Sequence, residues 1–356
     1  MEPIVLDTDC TPLAVFDVYQ SLIWTECYCE YGDFEIYTNA DSTVRELFTQ
    51  NRYLKMKGSD RVMIIETIKT TSDVENGDMI TVTGRSLESI LERRIIWGQT
   101  TLSGNFQNGI KKLLDQNVIS PDLTIRKINN FIFQPSDDPK ITDLTVSAQF
   151  TGDNLYDAIK ALCDARGVGF KITLSDDGNF VFSLYSGADR SYNQSENPYV
   201  IFSPKLENVI NTEHTKSNAN FKNIALVAGE GEGADRKSIW FIPKAQVLSG
   251  LIRRELYVDA RDISSSSGDI SLSDDDYTEL LMERGKEKLI EYTEEESFDG
   301  QIESGRVFEY GRDFFLGDIV QLSDGKNVNS RLRTVSVTRS RNADGTEVYP
   351  KFVIVE

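Results

Sequence analysis

Strand-forming alternation gathers at the two ends of this chain, and that placement restricts the fold more than any single motif. Toward the C-terminus, Asp313-Phe-Phe-Leu-Gly-Asp-Ile-Val-Gln-Leu322 carries a glycine turn into an apolar run. Far upstream, Val62-Met-Ile-Ile-Glu66 and Ile80-Thr-Val-Thr-Gly84 form a second β-rich stretch. Phe34-Glu-Ile-Tyr37 and Tyr53-Leu-Lys-Met-Lys57 alternate between apolar and polar, as half-buried strands do. Within Glu75-Asn-Gly-Asp78, Asn76-Gly77 is the strongest hairpin signal in the chain, because both central positions of a tight two-residue turn need left-handed backbone. Arg85-Ser-Leu-Glu-Ser-Ile-Leu-Glu-Arg-Arg94 follows, with Leu87, Ile90 and Leu91 on one face of a short helix.

The middle of the chain has a different period. Phe106, Ile110, Leu113 and Leu114 recur at helical spacing, and an irregular stretch around Pro121, Pro135 and Pro139 follows. Thr151-Gly-Asp-Asn154 places an Asp or Asn cap before Leu155, Ile159 and Leu162, and Gly167 stops that helix. A hairpin is expected next, from Phe170-Lys-Ile-Thr-Leu174 through Ser175-Asp-Asp-Gly178 to Phe180-Val-Phe-Ser-Leu-Tyr185, packing with the helix as a small α+β layer. Tyr199-Val-Ile-Phe202 and Asn223-Ile-Ala-Leu-Val-Ala-Gly229 then return to strands. Ser273 is placed to cap a helix running through Met282, Leu289 and Tyr292, after a loop-like serine run from Ser264 to Gly268. Strands resume from Ile302, through 307–310, 319–322 and 331–337, to the final run at 348–355. The expected fold is mainly β with α+β insertions: a β-barrel over 1–98, an α+β insertion over 99–197, a second barrel from 198–245 with 302–356, and a helix-containing insertion over 246–301. The 356 residues allow several cores of ordinary domain size.

Charge narrows the function classes. Acids outnumber bases 57 to 38, for a formal net charge of −19, so counterion release cannot drive tight binding to a polyanion. No stretch approaches the roughly 20 apolar residues that cross a bilayer, and the segment Met1-Glu-Pro-Ile-Val-Leu-Asp7 lacks the basic-then-apolar order of a signal peptide, so synthesis in the cytosol is expected. Four scattered cysteines, Cys10, Cys27, Cys29 and Cys163, do not make a disulfide framework; Cys27 and Cys29 would share a strand face, and buried thiols explain them better than a metal.

Candidate chemistry is sparse. His214 is the single histidine and sits in a polar run without a nucleophile motif, so a solvated or strand-edge position explains it and histidine-pair zinc sites are excluded. Gly229-Glu-Gly-Glu-Gly233 lacks the spacing of a dinucleotide loop, and its two glutamates would repel pyrophosphate; a glycine-rich hairpin or mobile loop is expected. Asp274-Asp-Asp276 suits a helix N-terminus, and neither it nor Glu294-Glu-Glu296 has calcium-loop spacing. Pairs such as Asp33 with Glu35, or Asp153 with Asp157, arise by chance among so many acids. Trp97 and Trp240 are expected in the core, with a carbohydrate-binding surface as the alternative.

Three segments together resemble a known family. Gly84-Arg85-Ser-Leu-Glu-Ser-Ile-Leu91 with Arg93-Arg94, then Leu155 through Gly169 ending in Tyr185-Ser-Gly-Ala-Asp-Arg-Ser191, then Arg312-Asp-Phe-Phe-Leu-Gly-Asp-Ile-Val320, occur in the order found in siphophage tail hub proteins. More narrowly, the chain resembles the ReqiPepy-type prophage tail family over nearly its whole length. The resemblance implies two tail-tube-like antiparallel barrels, a homotrimer joining a six-fold tube to a three-fold tip, and a place at the virion tail tip after synthesis in the host cytoplasm. It implies a distal tail ring protein and a tape-measure protein as partners, DNA passing without specific binding, and neither enzymatic activity nor a cofactor. The motif positions it carries are Gly84, Arg85, Asp189, Arg190, Leu316, Gly317 and Asp318. Gly317 would tighten a turn, Asp318 would bond local backbone amides, and Arg190 would anchor a small domain to a neighbour. Because the sequence stops at Glu356, no appended peptidase or glycosidase is expected. A tail-associated wall hydrolase and a host-carbohydrate binding module are the competing classes.

Overall fold

Strand β4 (Asp33–Asn39) converts its alternation directly into burial: Phe34, Ile36 and Thr38 point into a core, while Asp33, Glu35 and Asn39 face water. The same logic builds β1 (Pro3–Leu6), β2 (Pro12–Val15), β3 (Ser21–Cys27), β5 (Tyr53–Met56), β6 (Val62–Asp73) and β7 (Gly77–Ser86). The computed structural model describes residues 1–74, 77–243, 248–267, 270–301, 307–323 and 329–355. Glu75 and Asn76 of the expected hairpin turn, Gly268 of the serine run, and 302–306 where strands were expected to resume lie outside the described residues. The flanks of that turn nevertheless pair, with Asp73 opposite Gly77.

Contacts divide the chain into two units. The first comprises Met1–Ser89, Gly169–His214 and Ser297–Glu356; the second comprises Ile90–Val168 and Thr215–Glu296. The fold is mainly β, with one large, predominantly antiparallel sheet and several small ones.

The large sheet, nearly all of it in the first unit, runs in the order β2, β1, β5, β6, β7, β4, β3, then Asn329–Asn342, Gly345–Val355, Glu295–Gln301 and Ile210–Ser217. The 14-residue strand Asn329–Asn342 serves both halves. Its first part pairs antiparallel with Ile319–Ser323 and its later part with β3, and the register slips between Thr334 and Ser336 where the partner changes. Such a slip inserts one extra residue, here Val335, and bends the strand. Ile319–Ser323 also pairs in parallel with Ile201–Phe202.

Two separate apolar cores lie in this unit. Leu22, Trp24, Phe34, Ile36, Met63 and Val82 belong to the first, and Phe202, Phe314, Val320, Leu332 and Phe352 belong to the second. A smaller cluster of Tyr28, Leu316 and Val337 adjoins the second core, with Tyr310 packed against both. The hairpin Gly169–Leu174 with Phe180–Tyr185 also belongs to this unit, and the helix Leu155–Arg166 belongs to the second, so the expected α+β layer is split. Gly169 shows why: a Cβ there would lie 2.3 Å from the Tyr28 ring, a closeness only glycine allows.

The second unit obeys its helix signals. Asn105 caps Phe106–Leu114 and Asn154 caps Leu155–Arg166, which ends at left-handed Gly167 (φ +64°). Ser273 caps Asp274–Ile290, whose Tyr277, Leu280 and Leu281 pack on Ala225, Val227 and Val258; the helix takes in Met282 and Leu289 as expected but ends before Tyr292. The apolar run Ile224–Ala228 pairs with Ser238–Phe241 and Glu255–Asp259 within this unit. Sequence grouping had joined it to the C-terminal strands, but the helix supplies the cover its apolar face requires. The segment after β7 is a tight 3-10 turn, Leu87–Arg93, where an ordinary short helix was expected. No described helix is long and apolar enough to cross a membrane.

Candidate functional site

Five of the seven motif residues meet in one junction of the first unit. Gly317 adopts left-handed backbone (φ +85°), and a Cβ there would stand 2.3 Å from the Tyr28 ring. The turn it allows presents Asp318 inward, where the carboxylate is almost wholly buried. Asp318 Oδ2 accepts from Arg190 Nε at 2.6 Å and from the Phe315 amide at 3.0 Å, and Oδ1 accepts from the Ala188 amide at 2.7 Å. Backbone bonds run alongside, Arg190 N to Ile319 O at 2.7 Å and Ile319 N to Ala188 O at 2.9 Å. Asp189, next in line, accepts from Arg331 on the shared strand at 2.8 Å. Burial alone would raise the Asp189 pKa, but bonds from Ser191 and Arg331 hold it below the usual carboxylate value. Gly187 completes the fit: a Cβ would lie 1.9 Å from the Gly317 carbonyl carbon. Arg190 thus pairs with the Asp318 carboxylate of its own chain.

Gly84 and Arg85 stand elsewhere, on β7. A Cβ on Gly84 would be 1.8 Å from the Ile64 carbonyl oxygen, opposite the bulge between Ile65 and Thr67 in β6. Arg85 forms a two-pronged pair with Glu66, at 2.7 and 2.9 Å, and its guanidinium lies 4.8 Å from the Tyr31 ring.

Beside the junction is a cavity of about 510 Å³, lined by ionisable side chains that motif reading missed. Glu26 sits on the apolar face of β3, in register with Leu22 and Trp24, and accepts from Trp24 Nε1 (3.2 Å), Tyr310 OH (2.9 Å) and Arg339 (2.8 Å). Arg61 is fully enclosed; it pairs with Glu88 and donates to the Cys27 carbonyl at 3.0 Å and to Tyr185 OH at 2.8 Å. Lys171 pairs with Asp60. Burial, with Glu26 beside it, pushes the Tyr310 hydroxyl pKa far up, and burial does the same to Tyr185 against the pull of Arg61. The cations on the cavity wall therefore each hold a carboxylate, and both phenols stay protonated at neutral pH. Such an arrangement fixes the geometry of the cavity wall through paired charges. Its one sequence signal was an acid in step with the apolar positions of a strand, Leu22-x-Trp24-x-Glu26.

The remaining candidates are placed as follows. His214 is exposed on a terminal strand of the large sheet. Gly229 to Gly233 leads through a short turn into the antiparallel strand Ser238–Phe241, and Glu230 accepts from Ser264 Oγ (2.9 Å) and the Ser265 amide (3.0 Å). Asp274 to Asp276 form the first turn of their helix. Cys27 is buried and its thiol pushed up to about 12, chiefly by desolvation, whereas Cys29 is only partly buried. Trp97 and Trp240 are half-exposed, at 57% and 49%, in place of the core positions expected for them, and an arginine stacks on each ring. Among the described residues no group of three or more His, Cys, Asp or Glu side chains is arranged to hold a metal ion.

The sequence profile of the siphovirus ReqiPepy6 Gp37-like proteins matches residues 2–352. The chain belongs to this family. Among solved structures, this family member is similar to a tail protein from Neisseria meningitidis, with TM-score 0.57 and 11% identity over 99% of this chain and 96% of that one. It is similar to the 43 kDa tail protein of prophage MuSo2 from Shewanella oneidensis, with TM-score 0.58 and 12% identity over 100% and 98%. It is also similar to prophage tail protein gp18 from Listeria monocytogenes, with TM-score 0.53 and 13% identity over 99% and 94%. At these identities the likeness establishes a shared fold along the full family chain. No curated protein matches it.

Proposed function

We propose that this Gp37-like chain is a non-enzymatic tail hub at the tip of a phage or prophage tail. Three copies form a ring that continues and closes the tail tube, adapts its six-fold symmetry to a three-fold tip, and opens for DNA passage. The observation that carries this reading is the pairing of two separate β cores in one unit, joined by the strand Asn329–Asn342. Two β modules per chain, present three times, supply the six positions a six-fold tube needs. The names of the structural relatives, all tail proteins, support the same placement.

Charge fits the role. With −19 on each copy, a ring of three presents a strongly anionic wall, along which DNA slides without being retained. A distal tail ring protein above and a tape-measure protein within are the partners this position calls for, after synthesis in the host cytoplasm. Trimer contacts of obligate size, on the order of 2,000 Å² or more, are expected. Mass photometry tests the reading: particles of three times 40.2 kDa support it, and a 40.2 kDa monomer under assembly conditions, with or without the ring partner, contradicts it.

A further inference from the structure

The three-stranded sheet of the second unit has one face covered by a helix, and on the other its middle row of side chains lies partly in water while Ile224 and Ala228 are buried. On the covered side, Ala225, Val227 and Val258 pack beneath Tyr277 and Leu281 of the helix Asp274–Ile290. On the open side, Leu226 stands directly between Trp240 and Tyr257, its cross-strand partners on either hand. Both rings are half in water, at 49% and 57% exposure. The two outer strands are roughly 10 Å apart, twice the spacing of neighbouring strands.

These exposed rings are not left to rotate. Arg253 lies 4.9 Å from the centre of the Trp240 ring and is itself paired with Glu255. Arg236 donates to Tyr257 OH at 2.6 Å and to Asp259 at 2.6 Å, and is pinned further by the carbonyls of Ala228 and Gly229. Arg261 pairs with the same Asp259. Holding a half-exposed aromatic in one orientation costs rotamer entropy, which partial burial and the arginine contact offset only in part in the free protein. Fixed, half-exposed rings are what a preorganised binding surface requires.

The flanking charges select the ligand. Each of these guanidiniums already holds a carboxylate, so a phosphate or sulfate would have to displace Glu255 or Asp259. Arginine–carboxylate pairs at both ends of an aromatic row instead offer donors and acceptors together, which suits hydroxyl groups. The sugar ring's apolar C–H face stacks on an aromatic, and two rings two strands apart match a disaccharide repeat.

We infer that the open face formed by Trp240, Leu226 and Tyr257 binds a neutral polysaccharide. This goes beyond the tail-hub reading, since a tube component needs no glycan contact. The test is calorimetric titration of the full chain with chitohexaose, cellohexaose and maltohexaose, repeated with Trp240→Ala, Tyr257→Ala and Arg253→Met. Saturable binding to at least one of these glycans, weakened about tenfold or more by each aromatic replacement and less by Arg253→Met, is expected. Thermal melts matching the parent chain show that the variants fold. No binding by the parent to any of the three, or binding unchanged in Trp240→Ala, overturns the inference. So does salt-sensitive binding to heparin in place of neutral glycan, or loss of oligomer mass in Trp240→Ala, which would assign the face to an anion or to a second copy. An intact trimer without glycan binding would sink this inference alone and leave the hub proposal standing.

Discussion

The Asp318 carboxylate and the Arg190 guanidinium meet at 2.6 Å across a sequence separation of 128 residues. Asp318 is buried, Arg190 nearly so, and two backbone amides complete the carboxylate's bonding. The pair fastens the loop after Tyr185 to the strand Ile319–Ser323, and with it the second β core.

Removing one partner leaves a buried charge without its counterion. Arg190→Met is expected to cost about 3 kcal/mol and Asp318→Ala at least as much, because the latter also orphans the amides of Ala188 and Phe315. Urea unfolding of both single variants and the double variant checks this. The double variant should cost clearly less than the sum of the two singles.

Gly317→Ala combines two penalties, left-handed backbone and a methyl driven into the Tyr28 ring. A loss of about 2 kcal/mol or more is expected. Adding Tyr28→Leu should recover only part of it, because the backbone strain remains. A full recovery in thermal melts would show that the ring contact alone required glycine.

Arg61 and Glu88 form a fully enclosed ion pair. Glu88→Gln should destabilise by about 3 kcal/mol, and Arg61→Met with Glu88→Leu together should be far milder, since no charge then remains buried. Comparing denaturation midpoints of the two variants decides it.

Glu287 gives the second unit a pH dependence. Burial raises its pKa from 4.5 to about 7, against the pull of Arg284 3.8 Å away and of Lys288 and Arg166, with Glu283 adding to the rise. Its folded value lies above its unfolded value, so the folded state binds the extra proton between these pH values. Stability from this group is therefore greatest below about pH 4.5, falls as pH rises toward 7, and is lower by on the order of 3 kcal/mol beyond. Glu287→Gln should raise stability at pH 8 and flatten the slope between pH 5 and 8, read from urea midpoints at each pH.

Much of this was legible along the chain because the signals were local. The caps at Asn154 and Ser273, the stop at Gly167 and the alternation in β4 each depend on neighbours a few residues away, and the backbone obeyed them. The motif around Leu316, Gly317 and Asp318 was visible as a turn for the same reason. What the turn was for was hidden, since Arg190 and Tyr28 come from remote segments. Glu26 and Arg61 escaped notice because a buried charge looks, in sequence, like any surface charge; only its partners reveal it. Trp97 and Trp240 were misplaced for the converse reason, because a large apolar residue reads as core until the fold shows its face uncovered.

The sequence by itself determined the helix caps, the alternation of strands such as β4, the acidity that disfavours retention of a polyanion, and the family, though no strand forms at 307–310 and one forms at Glu295–Gln301. The tertiary structure alone decided that Asn329–Asn342 would serve two sheets' worth of partners, that Ile224–Ala228 would pair in the second unit, and which glycines mark contacts between distant backbones. The physical reason is range. Propensity and capping act over one or two turns, whereas strand partnership and charge burial are settled by whichever remote segments leave the least apolar surface and the fewest unpaired polar groups in water's absence.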